Sequence, residues 1–298
     1  MSMIQTLNAY PALLVGIVFV FGLLLGSFFN VVIYRLPLML HLEWWQSARD
    51  FCEEAWGKVP APLDQPPESL PAPPFNLAKP NSRCPHCGHA IQWYENIPIA
   101  SWLWLRGKCR ACRVPISARY PLIELATGLL SAFVAWKMGF GWPLAFALIL
   151  TWSLICLTMI DFDYKLLPDQ ITLPLLWLGL LINVQGMFVP LDEAVIGAAA
   201  GYLSLWSIYW LFKLATGKEG MGYGDFKLLG ALGAWMGWKV LVVIILLSSL
   251  VGSIIGVSMI LILGRDKQIP IAFGPYLAIA GWIAFFWGEA LMGMLFRF

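Results

Sequence analysis

Two aspartates and four cysteines carry the chemistry that can be read from this chain. Asp161 and Asp225 each lie where an apolar run meets a loop, the second inside Gly222-Tyr223-Gly224-Asp225. A carboxylate beside lipid costs several kcal/mol, roughly 2.5 to 3.5 on insertion scales, so such a residue is by default a functional candidate. Two carboxylates a few ångströms apart cannot both ionise readily. They share a proton, and the pair then supplies a general base and a general acid for the attack of water on a peptide bond. Cys84-Pro-His-Cys87 and Cys109-Arg-Ala-Cys112 form two C-x-x-C knuckles with 21 residues between them. That spacing gathers four thiolates into a closed tetrahedral Zn²⁺ site, which staples a loop and leaves no open position for water. Two disulfides are the rival reading, and a reducing cytoplasm disfavours them. With four thiolates available, His86 and His89 are expected to face solvent. Cys52 and Cys156 are expected to be inert packing residues.

The elements that position these groups belong to a membrane protein. With 60% hydrophobic residues, 12% charged residues and 16 tryptophans, the chain has too little polar surface to cover a water-soluble globule. A net charge of +2 gives no sign of a nucleic-acid partner, and membrane lipid is the surrounding medium. A helix needs about 20 apolar residues to cross roughly 30 Å of hydrocarbon. The expected fold is therefore an all-α polytopic membrane protein of about eight transmembrane helices. The apolar runs fall at 11–33, 121–138, 142–160, 171–188, 193–216, 226–238, 240–264 and 274–296. The sixth is short enough to be re-entrant. The first lacks the basic flank of a cleavable signal, since residues 1–10 contain no Lys or Arg. Three regions follow: a first transmembrane helix at 1–33, a loop at 34–120 holding the cysteines, and a transmembrane core at 121–298 holding both aspartates.

Of the 19 lysines and arginines, only Lys137, Lys239 and Arg297 fall on one side if all eight runs cross. The positive-inside rule then puts the N-terminus outside, and the large loop, Asp161 and Asp225 at the cytoplasmic face. Within the loop, apolar spacing predicts a short helix at 41–56, lying on the membrane or packed on the rest of the loop. Eight prolines between 60 and 80 predict an extended linker. Gly197 with Gly201, and Gly233 with Gly237, have the spacing of close helix packing that can bring the aspartates together. Asp163 and Asp169 are solvated or capping decoys, Asp169 being placed to N-cap the next helix. Glu124 either pairs with Arg119 or the helix start, or helps to bind substrate. Helix dipoles alone make Asp161, at a C-terminal helix end, the more proton-retaining partner of the pair.

Gly26-Ser-Phe-Phe-Asn30 with the following Val31 to Pro37, the two knuckles enclosing Asn96-Ile-Pro98 and Ser101-Trp102, the run Ile116 to Glu124, Asp161 to Asp169, and Gly222 to Asp225 together resemble the bacterial type IV prepilin peptidase family. The resemblance spans the chain. It implies an inner-membrane enzyme that removes the leader of prepilins or pseudopilins at the cytoplasmic face, for pilus assembly or type II secretion. It further implies that the enzyme methylates the new N-terminal amine with S-adenosylmethionine. The family's catalytic aspartates fall on Asp161 and Asp225, and its methylation-linked, cofactor-binding glycine on Gly107. No G-x-G-x-x-G follows a predicted strand, so the methyl donor rests on the resemblance alone. A basic leader is expected to meet Glu53, Glu54 or Glu124. Two alternatives stand beside this reading: a G-x-G-D intramembrane peptidase without methyl transfer, and a proton- or cation-coupled transporter using the same aspartates.

Overall fold

In lipid every backbone N–H and C=O must be satisfied within the protein, which drives the apolar runs into helices. A computed structural model describes residues 10–68, 70–71, 74–263 and 272–295. Residues 1–9, Arg265, Lys267 and Arg297, on which part of the orientation argument rests, lie outside the described residues. The helices in order are α1 (Pro11–Trp56), α2 (Ala61–Asp64), α3 (Ala100–Trp104), α4 (Arg119–Met138), α5 (Trp142–Tyr164), α6 (Asp169–Asn183), α7 (Leu191–Thr216), α8 (Tyr223–Met236), α9 (Leu241–Leu263) and α10 (Gly274–Leu295). A 3-10 turn, Trp93–Asn96, precedes α3.

Among the described residues, each of the eight apolar runs contains a helix. Six of these helices, namely α1, α4, α5, α7, α9 and α10, are long and apolar enough to cross a membrane. The other two, α6 with 15 residues and α8 with 14, are shorter than a full crossing needs. The expected break after residue 33 is absent. Helix α1 continues unbroken through Pro37 for 46 residues, about 69 Å at 1.5 Å per residue, so the short helix foreseen at 41–56 is its far end.

The chain divides into two compact units, Met1–Phe140 and Gly141–Phe298. Helix α4, grouped by the sequence reading with the carboxylate-bearing core, packs on α1 in the first unit instead. Small residues are the reason. A Cβ at Gly26 would stand 2.7 Å from the Glu124 Cα, and one at Gly22 2.7 Å from the Ser131 hydroxyl. The proline-rich stretch is docked at its end: the buried Arg35 donates to the carbonyls of Asn76 at 2.8 Å and Pro80 at 2.7 Å.

In the second unit α8 is the central element. From Asp225 to Met236 it is buried except at Lys227, against α6, α7 and α10. Gly197 on α7 meets the backbone of Gly233 on α8, and a Cβ at Gly201 would stand 2.6 Å from the Leu229 carbonyl. The paired glycines thus serve the close crossing expected of them. Trp235, fully buried, donates its indole N–H to the Leu175 carbonyl at 2.8 Å. Asn183 donates to the Ala234 carbonyl at 2.9 Å and accepts from the Phe188 N–H at 3.0 Å, fixing the far end of α8 to the α6–α7 turn.

Candidate functional site

Asp161 lies in the last turn of α5, and Lys165 closes that helix by donating its N–H to the Asp161 carbonyl at 3.0 Å. Asp225 lies in the first turn of α8, whose N-cap is Gly222. Both carboxylates are buried, at 6% and 7% exposure, and Asp225 lies within reach of the Asp161 charge. Leu167 ties them together. Its side chain would stand 2.7 Å from a Cβ at Gly224 and 3.1 Å from one at Gly274, and at Gly274 the nearest atom is the Asp161 Oδ2, 2.7 Å away. Gly224 and Gly274 therefore need to be glycine, because Leu167 occupies the space at the first and Asp161 with Leu167 the space at the second.

The two acids differ in their partners. Asp161 Oδ2 accepts the Gly274 N–H at 3.0 Å. Asp225 Oδ1 is buried without a partner among the described residues. Hydrogen bonding thus distinguishes the two acids in a way that helix dipoles alone leave out: Asp161 Oδ2 has a main-chain donor from another helix, and Asp225 Oδ1 has none among the described residues. Gly274 was not foreseen as a site residue. The available signal was a Gly-Pro pair opening the last apolar run, with Pro275 set for the first turn of a helix. Asp163 is exposed, and Asp169 holds Lys227 at 2.7 and 2.8 Å. Asp169 is the first helical residue of α6 rather than its N-cap, which is Pro168.

In the first unit the two knuckles repeat one design. Cys84 donates its N–H to the His89 carbonyl and Cys109 to that of Val114, and Arg83–Ala90 and Lys108–Pro115 close the two turns. The four sulfurs lie within 4.8 Å of one another, with Cys84–Cys112 at 3.8 Å and Cys87–Cys109 at 4.0 Å. Four sulfurs about 2.3 Å from one ion stand about 3.8 Å apart, so this donor set fits a tetrahedral metal. Backbone N–H groups of Cys87 and His86 lower the Cys84 thiol to about 6, and those of Cys112 and Ala111 lower Cys109. At Cys112 the Val114 N–H also lowers, but burial and the neighbouring sulfurs outweigh it and push the thiol up to about 11. A cation among the sulfurs relieves that opposition. His86 faces solvent as expected, whereas His89 turns to Glu95 at 3.1 Å. Cys52 and Cys156 are buried and free.

Gly107 is buried at φ +65°, and a Cβ there would meet the Trp102 ring at 2.8 Å. Its N–H donates to the Trp102 carbonyl at 2.8 Å, and its carbonyl accepts from Ile116 at 2.7 Å. The Trp102 indole N–H in turn reaches the Ile116 carbonyl at 3.1 Å. Gly107 thus acts on its surroundings through Trp102. Glu124 is buried and accepts the Ile99 N–H at 2.8 Å, holding a β-branched residue at φ +59° at the entry to α3. Neither contact carries a signal in sequence.

Residues 20–138 match the Bacterial Peptidase A24 N-terminal domain, and residues 148–257 match the Type IV leader peptidase family. The gap between the matches contains the boundary between the two units. The chain is 56% identical to a prepilin leader peptidase/N-methyltransferase of Aeromonas hydrophila, over 97% of this chain and 96% of that one. It is 53% identical to one of Stutzerimonas stutzeri and 52% identical to one of Pseudomonas aeruginosa, each over 100% of this chain and 99% of the relative. No solved structure matches. With both halves matched in order and relatives above half identity from end to end, the chain belongs to the type IV leader peptidase family.

Proposed function

We propose that this chain removes the leader of type IV prepilins and pseudopilins with Asp161 and Asp225, and methylates the new N-terminal amine through its cysteine-stapled unit. The activity of the whole is that of a prepilin leader peptidase and N-methyltransferase. The observation that carries the peptidase assignment is the meeting of two buried carboxylates, one from the end of α5 and one from the start of α8. Asp161, held by the Gly274 N–H, takes a proton from water as that water attacks the scissile carbonyl. Asp225 gives its proton to the departing amine, and the proton gained by Asp161 then passes to Asp225, which restores the starting state of the pair.

In the first unit Cys84, Cys87, Cys109 and Cys112 hold Zn²⁺ as a structural staple, since four thiolates leave no coordination position open. The methyl donor is S-adenosylmethionine, which supplies a methyl group on a sulfonium. Gly107 serves methylation by keeping Trp102 in place. Glu124 is committed to Ile99, which leaves the exposed Glu53 and Glu54 near the end of α1 for a basic leader. The chain is a multi-pass membrane protein. With the short α6 and α8 counted as crossings, as the sequence reading takes them, the positive-inside rule supports a bacterial inner-membrane location, with the cysteine loop and both aspartates at the cytoplasmic face and the N-terminus outside.

The test is mass spectrometry of a model prepilin incubated with the purified chain and S-adenosylmethionine. Loss of the leader and gain of one methyl mass on the new N-terminus are expected. An uncut prepilin at wild-type enzyme would overturn the peptidase reading, and a cut but unmethylated one the methyltransferase reading.

A further inference from the structure

The first unit contains a cleft of about 310 Å³ between the 3-10 turn, α3 and the second knuckle. Tyr94, Glu95, Ser101, Trp104, Arg110 and Arg113 line it. Its chemistry is mixed in a specific way. Trp104 leaves 75% of its surface exposed in a loop where nothing about the knuckle fold requires an indole. Arg110 is fixed in the wall: it donates to the Tyr94 hydroxyl at 3.0 Å, lies over the Tyr94 ring at 5.3 Å and stands 3.7 Å from Glu95. Glu95 is itself anchored by the Gln92 N–H at 2.9 Å.

Arg113 is the telling residue. In the first knuckle the position after the second cysteine is Gly88, at φ +71°. In the second knuckle the same position is Arg113, at φ +62°. A left-handed conformation costs an ordinary residue roughly 1 to 2 kcal/mol, which glycine avoids. The second knuckle bears that cost and sets a guanidinium in the cleft. Strain retained where a cheaper residue serves the same turn points to function.

We infer that this cleft binds the methyl donor, a purine nucleoside joined through a sulfonium to an amino acid. Trp104, 75% exposed, offers an aromatic face to the purine. Arg113 offers a planar pair of donors to the amino-acid carboxylate, a stronger contact than a neutral hydrogen bond. Gly107 is outside the cleft and is a positioning residue: a side chain there displaces Trp102, and with it the short helix that carries Ser101 and Trp104. The inference rests on the methyl-transfer reading above and assigns its donor site.

The experiment measures binding of radiolabelled S-adenosylmethionine to the full chain in detergent, with zinc content checked in every sample. Trp104→Leu and Arg113→Gly are each expected to weaken binding by about tenfold or more. Arg113→Gly is decisive because it relieves the backbone, so a purely structural role predicts a knuckle that is no weaker and binding that is unchanged. Lys108→Gln, outside the cleft, is expected to bind as wild type. On the wild-type chain, the donor should slow phenylglyoxal modification of Arg113 but not of Arg106, a readout independent of any variant's folding. Wild-type affinity in both cleft variants, or an unprotected Arg113, would overturn the cleft assignment and leave methyl transfer standing. No donor binding and no methylation by the wild-type chain would instead remove the reading on which it rests.

Discussion

The two units hold their reactive groups by opposite means. In the first, four cysteines a short distance apart in sequence are gathered by two nearly identical turns whose backbone N–H groups point at sulfur. In the second, two aspartates on different helices meet only because a short helix is pressed among three neighbours through glycine contacts. Local spacing builds the first site and helix packing the second. Damage should therefore spread differently through each. A change in a knuckle should stay within the loop, whereas a change at a distant helix crossing should reach the acids.

The largest effect should come from the acids themselves. Asp161→Asn and Asp225→Asn should each lower leader cleavage by about a thousandfold or more, because neither half of an acid–base pair turns over alone. Measured by prepilin processing with zinc content unchanged, residual cleavage within tenfold of wild type would break the pairing. Next is the crossing of α7 and α8. Gly233→Leu puts a branched side chain against the Gly197 backbone, where overpacking costs about 1 to 3 kcal/mol or more. Cleavage should fall and thermal stability drop, while zinc content remains at wild-type level. Equal loss of zinc would show that the units are not independent in this respect.

The converse test is Cys109→Ser. It should cut metal content and methylation severely, by about tenfold or more, while leader cleavage stays within a few fold of wild type.

A smaller effect concerns Glu95. Burial would raise its carboxyl, but the Gln92 N–H, His89 and Arg110 outweigh burial and hold it below the ordinary carboxylate value. Its contribution to the loop is thus complete above that ordinary value and is lost as pH falls through the lowered one. Amide exchange at 92–96, corrected for intrinsic rate, should speed up by about tenfold on acidification in wild type, and Glu95→Gln should show the fast rate already at neutral pH. A flat profile would separate the turn from Glu95. The smallest effect is expected at Asp169→Asn, which removes a half-exposed ion pair with Lys227 worth about 1 kcal/mol or less. Cleavage should be unchanged, which would separate this acid from the reactive pair that it neighbours in sequence.

The sequence by itself determined the medium, the helical class, the positions of eight apolar helices and the four-cysteine cluster, and it singled out the two aspartates proposed to react. Each follows from composition, periodicity, short-range spacing or a residue type too costly in lipid to be incidental. Tertiary structure decided the rest. Helix α1 runs on through Pro37, and α4 packs on α1 within the first unit, because matched small residues meet at a distance no local pattern records. Gly274 and Leu167 belong to the acid site, Glu124 holds Ile99, and Gly107 bears on Trp102. Each of these is a contact between residues whose types are ordinary on their own. Their meaning comes from which atom lies opposite, and only packing fixes that.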